Sequence, residues 1–353
     1  MNMEKLDQFM GRMLGELGAA INIPLMLIGD RLGLFRAMHG SGPLSASQLA
    51  AKTQTDERYV REWLSAMAAG HIVEYDASAQ TFHLPDEHAF ALAVDDSPAS
   101  LTGAFSVVGS AYYDWERIAQ AFRTGEGVGW HEHHHTLFIG TDRFFRPGYK
   151  ANLISSWIPA LGGVEARLQA GAKVADIGCG FGSSTILMAE AYPNSTFCGF
   201  DYHDSSIEAA RRAAEKAGVS DRVSFDVASA KSFPGVDGGY DLIAVFDCLH
   251  DMGDPAGAAR HIRQQLKPND GVFMIVEPFA EDRLQDNLNP VGRMFYAAST
   301  MICTPGSRAQ EVGACLGAQA GEARLKQVIT DAGFTRFRRA TQTPFNLILE
   351  ARP

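Results

Sequence analysis

The sequence predicts an α/β chain: a doubly wound sheet with an antiparallel last strand, preceded by a smaller α-rich module. Two observations carry most of this. A β-branched run, Val174-Ala175-Asp176-Ile177, enters the glycine-rich turn Gly178-Cys179-Gly180-Phe181-Gly182, and Ser183 to Ala189 has the pattern of the helix that follows. Beyond it, apolar strand-like runs alternate with helical segments to the end of the chain. Val223 to Val227, Asp241 to Phe246 and Gly271 to Glu277 read as strands, with helices over Pro255 to Leu266 and Glu322 to Ala332. Phe334 to Ala340 and Phe345 to Glu350 close the chain across a short turn, which forces an antiparallel pair.

The turn after the first strand points to a ligand. Glycine adopts positive φ and has no Cβ, so a bound nucleotide can lie against bare backbone at the start of a helix. The dinucleotide spacing G-x-G-x-x-G would need its third glycine at Ser183, whereas it stands at Gly182. Asp176, two residues before Gly178, would repel a pyrophosphate but hold an ammonium group. The ligand suggested is a nucleoside carrying an amino acid, S-adenosylmethionine. Thr196 to Phe200 is a second apolar strand ending in Asp201, about twenty residues past the glycines, where an acid accepts from ribose hydroxyls. Ser205-Ser206 then reads as the opening of a helix over Ile207 to Ala217.

On these residues the chain resembles a class I S-adenosylmethionine-dependent methyltransferase over about Leu168 to Pro353. The resemblance implies a Rossmann-like sheet and a cofactor site at Asp176, Gly178, Cys179, Gly180, Gly182, Asp201 and Tyr202. Ala228, Ser229 and Ala230 after the third strand, with Phe246 and Asp247 after the fourth, would complete it. Ser229 stands where the family often has an acid for the adenine amino group.

Length and composition agree with a multidomain globular enzyme. The chain has 353 residues, 46% hydrophobic and 20% charged, with a net charge of −10. No secretory segment is recognised, and no uninterrupted apolar run reaches bilayer length; Asp30 and Arg31 interrupt the run Ile21 to Phe35. The five cysteines lack C-x-x-C spacing, so reduced thiols and a cytoplasmic location are expected.

The expected domains are residues 1–95, a helical connector and lid over 96–167, and the catalytic domain over 168–353. Met3 to Met38 reads as two helices. Ser45 and Asp56 cap two more, the second running from Glu57 to Ala69 with Tyr59, Val60, Trp63, Leu64 and Met67 facing the core. His71 to Tyr75 and Thr81 to Leu84 form a hairpin. Helix, helix, hairpin is a winged-helix arrangement, which raises DNA binding by a transcriptional regulator as an alternative. Within Ser41 to Phe90, however, Lys52, Arg58 and Arg61 face seven acids, and a negative module cannot neutralise phosphate. The module resembles the winged-helix domains that precede small-molecule O-methyltransferases, and bacterial winged-helix methyltransferases in particular. That likeness implies a homodimer, while the charge count argues against a nucleic-acid partner and the short apolar runs against a membrane one.

The chemistry is expected where the fourth strand ends, because open α/β sheets bind ligands at the carboxyl ends of their strands. His250-Asp251 lies there and resembles the His-Asp pair of the O-methyltransferases. Methyl transfer needs an acceptor losing its proton. A phenol titrates near ~10 and imidazole near ~6.5, so a neutral His250 suits a general base. Glu277, ending the neighbouring strand, is placed to orient it, while Gln319 stands where the family has a second orienting acid, with Glu322 nearby. A base acting on a hydroxyl and a helix-capping histidine both remain open, as does transfer to carbon, nitrogen or sulfur, which would need no strong base.

The acceptor wall is expected in the insertion Pro278 to Ala320, at Arg293, Phe295, Tyr296, Met301 and Cys303, and at Tyr149. An apolar lining there suggests a small, largely apolar metabolite. The run His131-Glu132-His133-His134-His135 admits a metal site, a lid or a solvated loop; the prediction is no metal.

Overall fold

The computed structural model describes all 353 residues and divides the chain into two compact units. One comprises Met1–Tyr112 with His135–Pro147, the other Tyr113–His134 with Gly148–Pro353. Residues 96–167 are thus shared between the units rather than forming a body of their own.

The first unit opens on a 29-residue helix, Met3–Arg31, whose N-terminus is capped by the Asn2 side chain accepting from Lys5 N. By length and composition alone this helix is long and apolar enough to cross a membrane, a test that core helices of globular proteins also pass. Its seven charged residues gather toward its two ends, and Asp30 and Arg31 close it. Its Leu14, Leu17 and Ile21 are exposed within the unit, whereas Met26 enters the core.

The helix Ala46–Thr53 starts with a full capping box between Ser45 and Gln48, and Asp56 caps Glu57–Ala69 through Arg58 N and Tyr59 N. Val60, Trp63, Leu64 and Met67 recur at helical spacing and are buried, with Trp63 edge-on to Phe35 at 5.0 Å and donating to Leu25 O. Tyr59, expected in that core, is instead 81% exposed. It lies about 100° around the helix from Val60, off the buried stripe. Strands β1 (Glu74–Asp76) and β2 (Thr81–His83) complete the winged helix as a short antiparallel hairpin.

A partly buried ion network also holds this unit. Arg143 donates to both oxygens of Asp30 and to Asp95, while Arg36 adds a second guanidinium to Asp30.

In the second unit seven strands form one sheet: β3 (Lys173–Ile177), β4 (Thr196–Asp201), β5 (Val223–Val227), β6 (Leu242–Phe246), β7 (Val272–Pro278), β8 (Arg336–Gln342) and β9 (Asn346–Arg352). Their order is β5-β4-β3-β6-β7-β9-β8. The first five are parallel, β9 runs antiparallel to both β7 and β8, and the β8–β9 register slips between Arg339 and Thr341. Every residue of β6 and β7 is buried, which is why both read as unbroken apolar runs.

The helix after β4 begins at Asp204, with His203 at its cap and the His203 ring 2.8 Å from Ser206 Oγ. This corrects the start expected at Ser205-Ser206: the serine bonds the capping residue's ring instead of capping the helix itself. The insertion after β7 is mostly helical, including Pro290–Ala298, a widened turn over Ser299–Cys303, and Thr304–Arg308. The order of strands reverses between β3 and β6, so their carboxyl ends frame a crevice at the switch point.

Burial alone would raise the Asp30 carboxyl, but its bonds and ion pair with Arg143, supported by Arg36, outweigh that and hold it below its ordinary 3.8. The folded state therefore takes up this proton less readily than the unfolded chain. The pair's stabilisation is complete above the ordinary value and is lost as pH falls through the lowered one. Arg143→Ala is expected to cost about 1.5–3 kcal/mol at neutral pH in a denaturant titration. That difference should shrink in acid, and an equal loss at both pH values would show that Arg143 acts through packing.

Candidate active site

The turn leaving β3 is built from backbone. Gly178 N and Cys179 N both donate to Phe200 O, at 2.7 and 3.1 Å, which closes the turn onto β4. Gly178, Gly180 and Gly182 have φ of 73°, 53° and 79°, a region that costs other residues strain. A Cβ at Gly182 would also lie 2.6 Å from the Phe225 ring.

Asp201 locks this turn. Its Oδ2 accepts from Gly180 N at 3.0 Å and its Oδ1 from His203 N at 2.9 Å. Ala228 N donates to Asp201 O, which brings Ala228-Ser229-Ala230 to the same edge. Ser229 is exposed there, with its Oγ accepting from Lys231 N, and Tyr202 is half-exposed beside Asp201. Glycines, acid and hydroxyl thus gather at the carboxyl ends of β3, β4 and β5.

Asp176 is placed differently from the expectation of an acid open to a ligand's ammonium. It is completely buried, and its Oδ2 accepts 2.6 Å bonds from Ser184 Oγ and Thr185 Oγ1, tying the strand to the helix Ser183–Ala191. Burial pushes its pKa up to about 6 against those two bonds, with Asp201 adding to the rise. Its Oδ1 has no partner in the protein. An unmatched carboxylate oxygen beside a glycine turn favours a cationic or hydrogen-bonding group nearby, so the residues fit a nucleoside bearing an ammonium.

After β6 the backbone turns sharply: Asp247 has φ of 52° and its N–H donates to Val276 O. Asp247 was expected to contact cofactor. Its two oxygens are instead taken by the Tyr149 hydroxyl and Asn346 Nδ2, each at 3.0 Å. Burial, then the nearby Glu277 charge, push its pKa up to about 8. Tyr149, expected in the acceptor wall, is likewise buried, 5.3 Å from the Phe246 ring. Asn346 was missed, because nothing near it in sequence announces that β9 begins beside β6's turn.

His250 sits in a short turn, Leu249–Asp251, and is buried. Glu277 holds it: one carboxylate oxygen accepts from Leu249 N at 2.8 Å and the other bonds His250 Nδ1. His250 Nε2 lies 3.0 Å from Asp251 Oδ1, an ion pair when the ring is protonated, and that oxygen bonds no other group. Burial alone would lower the imidazole's pKa, but the Asp251 and Glu277 carboxylates outweigh it and hold it well above 6.5. Against the expectation of a neutral imidazole at its ordinary value, the two carboxylates favour the protonated ring here.

The remaining candidates separate. Cys303 is buried and joins His250 and Asp251, the three donor atoms lying within 4.8 Å of one another. Phe295 packs against the same segment, while Arg293 is exposed on its helix and Tyr296 half-buried. Gln319 donates to Phe279 O and Ala318 O, and Glu322 pairs with Arg339, so neither orients His250. The histidine run does not converge: His133 Nδ1 bonds Asp114 at 2.9 Å, and His134 stacks on Tyr113.

Comparison with known proteins agrees with this architecture. Residues 168–333 match the family described as methyltransferase domain, and residues 19–94 the Rv2258c-like winged HTH domain. Over 113 residues the chain is 34% identical to the 27-O-demethylrifamycin SV methyltransferase of Amycolatopsis mediterranei, covering 31% of this chain and 41% of that enzyme. The chain spans less than half the length of the curated relatives it matches. Human N-acetylserotonin methyltransferase in complex with S-adenosylmethionine is similar in structure, with a TM-score of 0.71 at 17% identity over 97% of each chain. An O-methyltransferase family protein from Burkholderia thailandensis gives 0.69 at 16% identity, covering 100% of this chain and 98% of that one. At such identities the likeness speaks for the fold. The chain therefore joins an Rv2258c-like winged helix-turn-helix domain to a methyltransferase domain with the class I S-adenosylmethionine-dependent fold.

Proposed function

We propose that this protein is an S-adenosylmethionine-dependent methyltransferase that methylates a hydroxyl of a small, largely apolar metabolite, with His250 as general base. The observation that carries the reading is the Glu277–His250 pair. With Nδ1 committed to Glu277, the ring has one orientation, and Nε2, which faces Asp251 Oδ1 at 3.0 Å, is the nitrogen that would take an acceptor's proton once the ring is neutral. The His250 turn and the glycine turn leave neighbouring strands, β6 and β3, at the same edge of the sheet.

Gly178, Cys179, Gly180 and Gly182 would receive the cofactor against backbone, Asp201 and Tyr202 its ribose, and Ala228, Ser229 and Ala230 its adenine. Phe246 would flank it, and Asp176 would bias the turn toward a cation. S-adenosylmethionine, when bound, supplies a methyl group on a sulfonium. Positioning by these residues contributes the larger part of the acceleration, and proton removal by His250 the rest. Asp247, Tyr149 and Asn346 act by holding the turn after β6 in its strained form.

His250→Ala should lower kcat/KM by about 10²–10⁴-fold while binding of S-adenosylmethionine persists. Turnover of labelled cofactor against an extract of small hydroxylated metabolites measures this, and an undiminished rate would remove the base assignment. The free base requires loss of the ring proton, so activity should rise with pH through a value above 6.5. Glu277→Gln removes a charge that stabilises the imidazolium, and should move that rise to lower pH; an unmoved profile would argue against Glu277 acting through His250.

Gly182→Ala should cost about 1–2 kcal/mol from its left-handed backbone alone, more with the Phe225 overlap, and weaken cofactor binding. Unchanged calorimetric affinity would show that the turn is not where the nucleoside lies.

The exposed apolar stripe on Met3–Arg31 supports a homodimer formed by the N-terminal unit. Light scattering should report a dimer that Leu14→Glu with Leu17→Glu converts to monomer, and a monomeric wild type would end this reading.

A further inference from the structure

We propose that His250, Asp251 and Cys303 form a binding site for a thiophilic divalent cation of the zinc class. Imidazole, carboxylate and thiol are three of that ion's ordinary ligands, and three protein ligands with a fourth position open is its usual arrangement in non-structural sites. Here the three donor atoms lie within 4.8 Å of one another. His250 Nε2 and Asp251 Oδ1 are 3.0 Å apart, close to the separation of two atoms each about 2.0–2.1 Å from one metal. The sulfur selects against magnesium and calcium, which take oxygen ligands.

Two further features mark the cluster as more than adjacent side chains. Glu277 bonds the opposite ring nitrogen of His250, the carboxylate–histidine arrangement that orients metal-bound imidazoles. Asp251 Oδ1 is a buried oxygen that faces only His250 Nε2 and bonds no other group, so a cation replacing the ring proton would meet two donor atoms not otherwise committed. The ligands are also pre-positioned. Ser307 Oγ donates to Met252 O, Gln310 Nε2 to Asp251 O, and Ala314 N to Gly253 O, which fastens the segment carrying Cys303 to the turn carrying His250 and Asp251.

Coordination takes the Nε2 lone pair and releases to solvent the protons held by the thiol and the ring. A metal-bound His250 therefore cannot accept a proton from a methyl acceptor. Under the methyl-transfer reading the cation acts as an inhibitor, but the binding itself does not rest on that reading.

Full-length protein stripped with a chelator and titrated with Co²⁺ tests the site without any acceptor. One equivalent should give an intense near-ultraviolet thiolate-to-cobalt band that Zn²⁺ displaces. Cys303→Ser should abolish the band, and Glu277→Gln should weaken affinity about 10–100-fold. Asp251→Asn keeps the thiol and should also weaken binding, which decides the matter should Cys303→Ser fail to fold. Absence of the band in the wild type, its persistence in Cys303→Ser, or unaltered affinity in Asp251→Asn would each overturn the proposal. A protein that transfers no methyl group yet shows the band would separate failure of the functional reading from failure of this one.

Discussion

The Glu277 carboxylate is buried at the end of β7 with both oxygens committed, one to Leu249 N and the other to His250 Nδ1. Everything that gives His250 a defined chemistry depends on that pair. A buried carboxylate without partners would be driven toward its neutral form, and an imidazole without it would be free to rotate. The pair exists because β6 and β7 are parallel neighbours, which sets the turn after one strand beside the last residues of the other. The cost is a local one. Asp247 is held at positive φ, and Val276, Tyr149 and Asn346 hold it there.

A second layer of the same design lies across the sheet switch. The glycine turn after β3 is fixed by Phe200 O and Asp201 from β4, so the conformation of the loop is set by its neighbour strand more than by its own residues. Asp176 lies beneath it, binding the two hydroxyls that start the next helix. Carboxylates 176, 201, 247, 251 and 277 therefore crowd one edge, with His250 and His203 beside them, and burial raises Asp176 and Asp247 toward neutrality. The edge favours cations of several kinds: a sulfonium or ammonium on one side, the imidazolium on the other.

Much of this was legible in the chain. The turn at Gly178, Gly180 and Gly182 and its tie to Asp201 followed from spacing, because positive φ favours residues without a side chain. β6 and β7 announced themselves as continuous apolar runs because both of their faces are covered. The caps at Ser45 and Asp56, and the buried stripe from Val60 to Met67, follow from side-chain hydrogen bonding and helical period, which are local properties.

The sequence by itself determined the fold class, the order of elements and the residue types able to do the chemistry, because these rest on periodicity and on interactions within a few residues. Tertiary structure alone decided the rest. Asn346 reaches Asp247 across 99 positions, and Cys303 reaches His250 across an insertion whose path no local pattern specifies. The charge on His250 was equally hidden. Two carboxylates folded against the ring favour its protonated form, and burial lets each charge act at short range with little screening.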